Sequence, residues 1–256
     1  MPESWRLDAM LFDEFWVPSD FVASALRRLL GPDARQPIRV IPYAVDAISF
    51  GPRKTKAASV AARRRHGLPV DVFLVGNSFS MSSSFIRKNP LAAIAAFQQA
   101  FASTAVRDAR LLLRCAEKGA WPVGYEQLTA AAAADDRIIV LDNAVSRIPI
   151  GDFYYAIDVY LSLHRSEGYG LNLAEAARVG TNVIATGWGL AADIANRPEV
   201  AIVPWRLVPL KDPQGIYDES DAHWAEPDLS AAAEQLRALY AARNDRRAAN
   251  SKPGLT

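Results

Sequence analysis

The feature that most constrains the fold is an alternation of short β-rich runs with longer helical stretches along the 256 residues. Such an alternation is typical of a parallel sheet whose strands are joined by crossover helices. Several runs are apolar at consecutive positions, which indicates strands covered on both faces. The sequence therefore predicts an α/β fold with a doubly wound parallel sheet. The predicted strands are Phe15–Val17, Ile38–Ile41, Val72–Val75, Leu111–Leu113, Ile138–Leu141, Val159–Leu163, Val183–Ala185 and Val200–Val203.

Helix starts are marked by capping residues. Asn89 precedes Pro90, a combination that predicts an N-cap followed by proline at the first helical position. Ser19 is predicted to cap a helix over Phe21–Leu30 in the same way. A third helix, Leu229–Tyr240, carries its apolar residues on one stripe, as a helix packed on the sheet does.

The charge balance argues against a nucleic-acid partner. The chain has 29 Lys and Arg against 28 Asp and Glu, a net charge of +1, so it has no broad basic surface for phosphate backbones. The runs Arg63–Arg65 and Arg243–Arg247 are accordingly predicted to be solvated helix faces.

The expected location is a reducing cytoplasm. A single cysteine, Cys115, excludes an internal disulfide framework, and its apolar neighbours predict a buried residue. No apolar run is long enough to span a membrane, and the N-terminus lacks the layout of a signal peptide.

A Ser-rich run, Gly76–Lys88, follows the predicted strand Val72–Val75. Ligands of open α/β sheets bind beyond the carboxyl ends of the strands. Here Arg87 and Lys88 precede a helix N-terminus, where free N–H groups and the helix dipole add to the two positive charges. The combination suits a phosphate or pyrophosphate. A flexible surface loop with two solvated bases is an equally good interpretation at this point.

A second loop, His164–Glu175, follows the predicted strand ending near Leu163. Gly168 and Gly170 allow a tight turn, and the helix that begins after them directs its dipole to the same spot. The sequence thus predicts a second anion site. Glu167 and Glu175 are spaced so that both carboxylates can face one cleft and accept hydrogen bonds from hydroxyl groups of a sugar or ribose.

Structural interpretations of these residues remain open. Asn172 and Glu175 have the spacing of a capping box, in which Glu175 only satisfies helix N–H groups. Glu167 fits an exposed acid in a turn, and His164 fits a buried, hydrogen-bonded histidine better than a catalytic one. Motifs of other chemistries, D-x-D, H-x-x-H, paired cysteines, G-x-S-x-G, the P-loop and the dinucleotide fingerprint, are missing from the sequence.

Five segments, in order, resemble retaining glycosyltransferases of the GT-B fold, the group called family 4. The similarity covers about residues 5 to 240 and is carried by Asp13–Ser19 ("DEFWVPS"), Val40–Asp46 with Phe50 and Pro52 ("VIPYAVD…F.P"), Arg87–Pro90 ("RKNP"), Glu167–Glu175 (E-x7-E) and Trp224–Pro227 ("WAEP"). The resemblance implies that the doubly wound sheet is Rossmann-like and is the C-terminal, donor-binding domain of a GT-B enzyme. It further implies metal-independent transfer of a sugar from a UDP- or GDP-linked donor with retention, without a cofactor.

The resemblance also implies roles for individual residues. Lys88, with Arg87, would neutralise the donor diphosphate. The segment Gly168, Tyr169, Gly170 and Leu171 would line the donor site, with backbone N–H groups near Gly170 and Leu171 sharing the diphosphate. Glu167 would contact the transferred sugar and stabilise its developing positive charge. Glu175 would hold the ribose hydroxyls, and Val145 would lie in the base pocket.

Departures from the family pattern define a second hypothesis. Tyr43–Ala44 replaces the usual His-Gly, Tyr169 replaces a more common Phe, and Asn77 stands where the family often has a basic residue. The chain also begins where the family's acceptor domain would end. We therefore expect a remnant of that domain and a connector in residues 1–52, a nucleotide-sugar-binding domain in 53–242 and a disordered tail in 243–256. The expected acceptor is a glycan or lipid-linked sugar, held by an acceptor domain from a longer chain or from a partner chain, and the alternative function is a non-catalytic nucleotide or nucleotide-sugar binding module.

Overall fold

The computed structural model describes residues 4–45, 51–102, 106–142, 148–217 and 221–251. Its centre is a six-stranded sheet of order β5-β4-β3-β6-β7-β8, in which all neighbouring strands are parallel. The predicted α/β fold is confirmed. The strands are β1 (Phe15–Val17), β2 (Ile38–Val40), β3 (Phe73–Ser80), β4 (Ala109–Ala116), β5 (Ile138–Asp142), β6 (Val159–Ser162), β7 (Asn182–Thr186), β8 (Val200–Val203), β9 (Trp205–Pro209) and β10 (His223–Pro227).

Helices cover both faces of the central sheet. One core places the apolar sides of α5, α6 and α10 against the sheet, and a second does the same with α7, α8 and α9. This is the doubly wound arrangement expected from consecutive apolar residues in the strands. The α-helices are α1 (Trp5–Ala9), α2 (Asp20–Leu30), α3 (Lys56–Arg65), α4 (Phe85–Lys88), α5 (Pro90–Ala100), α6 (Pro122–Ala133), α7 (Ile150–Ala156), α8 (Leu171–Arg178), α9 (Ala192–Ala195) and α10 (Leu229–Ser251).

The strand order reverses between β3 and β6. From β3 the chain proceeds to β4 and β5 on one side, whereas β6, β7 and β8 follow on the other. A crevice opens at such a switch point, beyond the carboxyl ends of the two central strands. The two loops singled out in the sequence both start there.

β3 is longer than predicted and takes up the first part of the Ser-rich run. Its ladder with β4 extends from Phe73 to Ser80, so residues 76–80, expected to be loop, are strand. The polar side chains of Asn77 and Ser78 are buried in it. Neither the periodicity nor the hydrophobicity of these residues predicts a strand. They are strand because they pair with β4.

The N-terminal segment forms a small unit of its own. β1 and β2 pair in parallel as a separate two-stranded sheet, so these strands do not add to the central sheet. They pack on α2, whose predicted cap is confirmed, because Ser19 Oγ accepts from the Val22 N–H at 3.3 Å. Large apolar side chains remain exposed on this unit, among them Trp5, Leu7, Met10, Leu11, Phe12 and Trp16.

Two predictions about charged runs are wrong in part. Arg63 is buried, since its guanidinium donates to the carbonyls of Val70, Val72 and Ala156 and pairs with Asp158 at 2.8 Å. The C-terminal residues 243–251, expected to be disordered, continue α10.

The added turns of α10 carry two ion pairs to residues far away along the chain. Arg243 lies 3.5 Å from Asp108, and Arg247 lies 3.3 Å from Asp71. Residues 252–256 lie outside the described part of the chain.

Other expectations have mixed outcomes. Cys115 is buried as predicted, and burial raises the pKa of its thiol to about 11. The helix at Pro90 is confirmed, but Asn89 has left-handed backbone geometry and its side chain donates to the Leu163 carbonyl instead of capping. The antiparallel pair β9–β10 was not predicted. Within the described residues, no helix is long and apolar enough to cross a membrane.

Candidate functional site

The two predicted loops meet at the switch point between β3 and β6. Lys88, at the end of α4, places its Nζ 2.6 Å from Oε2 of Glu167, which lies in the turn after β6. Arg87 Nη1 lies 3.6 Å from the same oxygen and donates to the Ser166 carbonyl at 2.7 Å. Lys88 and Glu167, 79 positions apart along the chain, thus form one charged cluster with Arg87.

This cluster is largely withdrawn from solvent. The side chains of Arg87, Lys88 and Glu167 are 11%, 23% and 16% exposed, so neither the solvated bases nor the exposed turn acid describes them. Burial alone would raise the pKa of Glu167, but the positive charges of Lys88 and Arg87 outweigh it and lower that pKa to about 2. Burial lowers the pKa of Lys88, and the Glu167 carboxylate opposes this shift. Glu167 is therefore an anion at neutral pH.

A small cavity of about 70 Å³ opens beside the Lys88–Glu167 pair. This volume has room for about two water-sized groups. Both charged side chains face it, together with polar groups of β3, β6 and α8, so hydroxyl-bearing groups fit it better than apolar ones. Its lining residues are Asn77, Ser78, Phe79, Lys88, Tyr160, Ser162, Glu167, Leu171, Asn172 and Leu173.

The start of α8 points into the same region. The helix begins at Leu171, directly after Gly170, whose φ of 98° favours glycine. A Cβ at Gly170 would also lie 2.6 Å from Leu190 Cδ1. The Leu173 N–H donates to the Gly170 carbonyl at 2.9 Å. By helix geometry the N–H groups of Leu171 and Asn172 have no carbonyl within the helix to donate to, and they carry the positive end of its dipole. An anion near the cavity would meet them.

Glu175 does not form a capping box. Gly170, not Asn172, is the N-cap, and Glu175 lies one turn further along α8. Its carboxylate accepts from the Tyr154 hydroxyl at 2.7 Å. Burial raises the pKa of Glu175, and the Tyr154 hydrogen bond opposes the shift. The capping interpretation is therefore wrong. The carboxylate is oriented by its hydrogen bond from Tyr154.

Tyr169 and Gly168 face the N-terminal unit. The Tyr169 hydroxyl donates to Asp193 at 3.0 Å, its ring packs edge-on against Tyr43, and burial raises its pKa to about 12. The Gly168 carbonyl accepts a hydrogen bond from Ser19. These contacts of Gly168 and Tyr169 therefore fix the turn that follows Glu167. Val145, the predicted base-pocket residue, lies outside the described residues.

His164 is the buried, hydrogen-bonded histidine that the sequence favoured. Its Nδ1 lies 3.0 Å from Ser162 Oγ, and its Nε2 lies 3.2 Å from the Trp188 carbonyl. Burial lowers its pKa to about 4, so the ring is neutral at physiological pH.

Two residues near the site make contacts that no local sequence pattern indicated. Asn172 Nδ2 donates to the Ser78 carbonyl and to the Tyr160 hydroxyl, each at 3.2 Å, and so ties α8 to β3 and β6. Glu226, in the "WAEP" segment, pairs with Arg165 at 2.7 Å and anchors the loop before Glu167. Only the family resemblance marked Glu226, and its partner is 61 positions away. In the part of the chain that the structure describes, no group of three or more His, Cys, Asp and Glu side chains could hold a metal ion.

Comparison with known proteins agrees with this architecture. A D-inositol 3-phosphate glycosyltransferase of Xylanimonas cellulosilytica is 31% identical over 172 residues, which are 65% of this chain and 39% of that protein. A glycosyltransferase from Rickettsia africae has a TM-score of 0.66 at 19% identity, over 94% of this chain and 57% of its own. Sucrose-phosphate synthase of Thermosynechococcus elongatus has a TM-score of 0.66 at 21% identity, over 94% of this chain and 53% of its own.

A third solved structure is HepE of Anabaena in complex with UDP and glucose. Its TM-score is 0.59 at 18% identity, over 74% of this chain and 50% of its own. These structural likenesses show the fold alone, and the chain spans only 39% to 57% of the lengths of these four relatives. The family described as "Glycosyl transferases group 1" matches residues 76–222, more than half of the chain, and includes both loops of the candidate site. The chain belongs to the glycosyl transferases group 1 family.

Proposed function

We propose that the Lys88–Glu167 cluster is the donor site of a retaining, family 4 glycosyltransferase and that it binds a nucleotide sugar. The observation that carries the proposal is the largely buried group of Arg87, Lys88 and Glu167 beside a polar cavity and the N-terminus of α8. The ion pair lies beside the cavity, at the edge of the sheet where α/β folds bind their ligands. Its placement therefore favours a functional role.

Donor binding would replace the contact between Lys88 and Glu167. The diphosphate would take the ammonium of Lys88, with Arg87 and the N–H groups near Gly170 and Leu171 adding positive potential. Glu167, ionised at neutral pH, would accept from the sugar hydroxyls. During transfer the two cations would stabilise the negative charge that develops on the leaving diphosphate, and Glu167 the positive charge on the sugar. Glu175 would receive the ribose hydroxyls.

Relatives suggest which donors to test first. Solved structures of similar fold include complexes with UDP and glucose and with UDP and GlcNAc. For this chain a UDP- or GDP-linked sugar is therefore the proposed donor. Because the chain spans about half the length of the solved relatives, we infer that a further domain or a partner chain holds the acceptor, a glycan or lipid-linked sugar.

A thermal-shift experiment tests the donor site. UDP, GDP or UDP-glucose at millimolar concentration, in EDTA, should raise the melting temperature, because a ligand that binds only the native state stabilises by about 2.7 kcal/mol at a hundredfold excess over Kd. Lys88→Ala should remove most of the shift. Lys56→Ala, which removes an exposed lysine from α3, should leave it unchanged. If no nucleotide or UDP-glucose shifts the wild-type protein, the proposal is wrong.

The two acids are separated by matched substitutions. Glu175→Gln should weaken binding of UDP itself, whereas Glu167→Gln should spare UDP and weaken UDP-glucose. Equal loss for both ligands in both variants would contradict the assigned roles. Binding without any release of UDP in the presence of an acceptor domain would instead support the non-catalytic binding module.

A further inference from the structure

Residues of the loop after β9 form hydrogen bonds with the segment that leads to Arg87 and Lys88. Gln214 Nε2 donates to the Met81 carbonyl at 2.9 Å, and its Oε1 accepts from the Phe85 N–H. One amide side chain thus bridges the two ends of the turn that leads into α4. The residues it joins are 133 and 129 positions away along the chain.

Asp212 holds the same turn from a second point. Its Oδ1 accepts from Ser84 Oγ at 3.0 Å, and Ser84 Oγ in turn accepts from the Arg87 N–H at 3.2 Å as the cap of α4. Asp212 also accepts from the N–H groups of Gln214 and Tyr217, each at 3.2 Å, which keeps the loop folded. The Tyr217 ring lies 5.9 Å from the Arg87 guanidinium, within cation–π range.

These contacts bear directly on Lys88. The helix α4 has four residues, Phe85–Lys88, too few to be stable without outside partners. The Lys88 N–H donates to the Ser84 carbonyl at 3.0 Å, so the backbone of Lys88 follows Ser84, which Asp212 holds. The loop is therefore one support of the Lys88 backbone, beside Arg165, which donates to the carbonyls of Ile86 and Arg87 at 2.8 Å each.

We propose that Gln214 and Asp212 are positioning residues that hold Lys88 against Glu167 and so set the affinity of the site for the donor diphosphate. The identity of the ligand rests on the proposed function, whereas the positioning of Lys88 by Gln214 and Asp212 does not. Neither residue lines the cavity, so both act through the Lys88 backbone.

The test combines a ligand-free and a ligand-dependent readout. In the first, an amine-reactive acetylating reagent labels the full chain, and mass spectrometry follows the rate at Lys88. Gln214→Ala should raise that rate several-fold, because the lysine leaves its ion pair with Glu167 more often. Gln214→Glu keeps an acceptor for the Phe85 N–H but loses the donor to Met81, so its rate should lie between. Ile216→Ala, a change in the same loop, should label as wild type does.

The second readout is the Kd for UDP by calorimetry. Gln214→Ala should weaken binding about fivefold, the effect of one ordinary hydrogen bond lost from the support of the site. Lys88 labelling that is unchanged in both Gln214 variants, with melting temperatures showing that they fold, overturns the inference whatever UDP does. Faster labelling with no UDP binding by wild type would uphold the positioning role of Gln214 but refute the donor site.

Discussion

Replacing Glu167 by Gln has a pH-dependent consequence that can be calculated from the structure. The neighbouring cations lower its pKa from 4.5 to about 2 in the native state despite its burial. A carboxyl whose native pKa is depressed contributes stability above its unfolded pKa, and this contribution is lost as the pH falls towards the native pKa. With these two values it is about 3 kcal/mol at pH 7 and about 2 kcal/mol at pH 3.5.

The amide that replaces the carboxylate cannot titrate, so the Glu167→Gln variant lacks this contribution at every pH. The free energies of unfolding of wild type and Glu167→Gln should therefore differ most at pH 7, and the difference should be smaller by about 1 kcal/mol at pH 3.5. Urea denaturation followed by circular dichroism at both pH values measures it. Contributions that do not depend on pH, such as altered packing, cancel in the comparison.

Glu175→Gln is the matched control. Burial raises the pKa of Glu175, so its charge opposes folding at neutral pH and this penalty disappears as the pH falls. The free energy of unfolding of wild type relative to Glu175→Gln should therefore increase, not decrease, as the pH falls from 7 to 3.5. If wild type and Glu167→Gln differ in free energy of unfolding by the same amount at pH 7 and pH 3.5, the view that Lys88 and Arg87 hold Glu167 as an anion is refuted.

Three further outcomes follow from the described contacts. Burial lowers the pKa of His164 from 6.5 to about 4, so between these pH values the unfolded chain binds more protons and stability decreases as the pH is lowered. In urea titrations, His164→Asn should reduce this decrease by up to about 3 kcal/mol. Arg63→Met leaves three carbonyls and Asp158 without their donor and should cost about 3–5 kcal/mol, and a loss below about 1 kcal/mol would contradict its buried role. The exposed apolar residues of the N-terminal unit should drive self-association in sedimentation velocity, and Leu11→Glu with Trp16→Glu should reduce it; a wild-type monomer at all concentrations would count against this surface.

The central sheet was accessible to sequence reasoning for a definite reason. Strands such as Val159–Ser162 and Val200–Val203 are short and apolar at consecutive positions, and helices follow most of them, so composition and spacing alone indicate a parallel sheet covered on both faces. Ligands of such sheets bind beyond the carboxyl ends of the strands, and Lys88 and Glu167 lie in the loops that follow two of the predicted strands.

Hydrophobic patterning failed where tertiary contacts give polar residues a place. Arg63 reads as a surface residue in a basic run, yet three carbonyls and Asp158 surround its guanidinium and compensate for its burial. Asn77 and Ser78 read as loop, yet the β4 ladder makes them strand. In each case the partner lies far away along the chain, so no local window contains the information.

The sequence by itself determined the fold class, the two loops and the residue types of the site, because these follow from local periodicity, glycine positions and charge. Only the tertiary structure decided which alternative applies at each residue. It shows Lys88 and Glu167 as one largely buried ion pair, Glu175 bonded to Tyr154 in place of a helix cap, and Gln214 hydrogen-bonded to the turn that leads to Lys88. The physical reason is that burial and pairing depend on what long-range packing brings alongside a side chain, and this sets both its charge and its freedom to move.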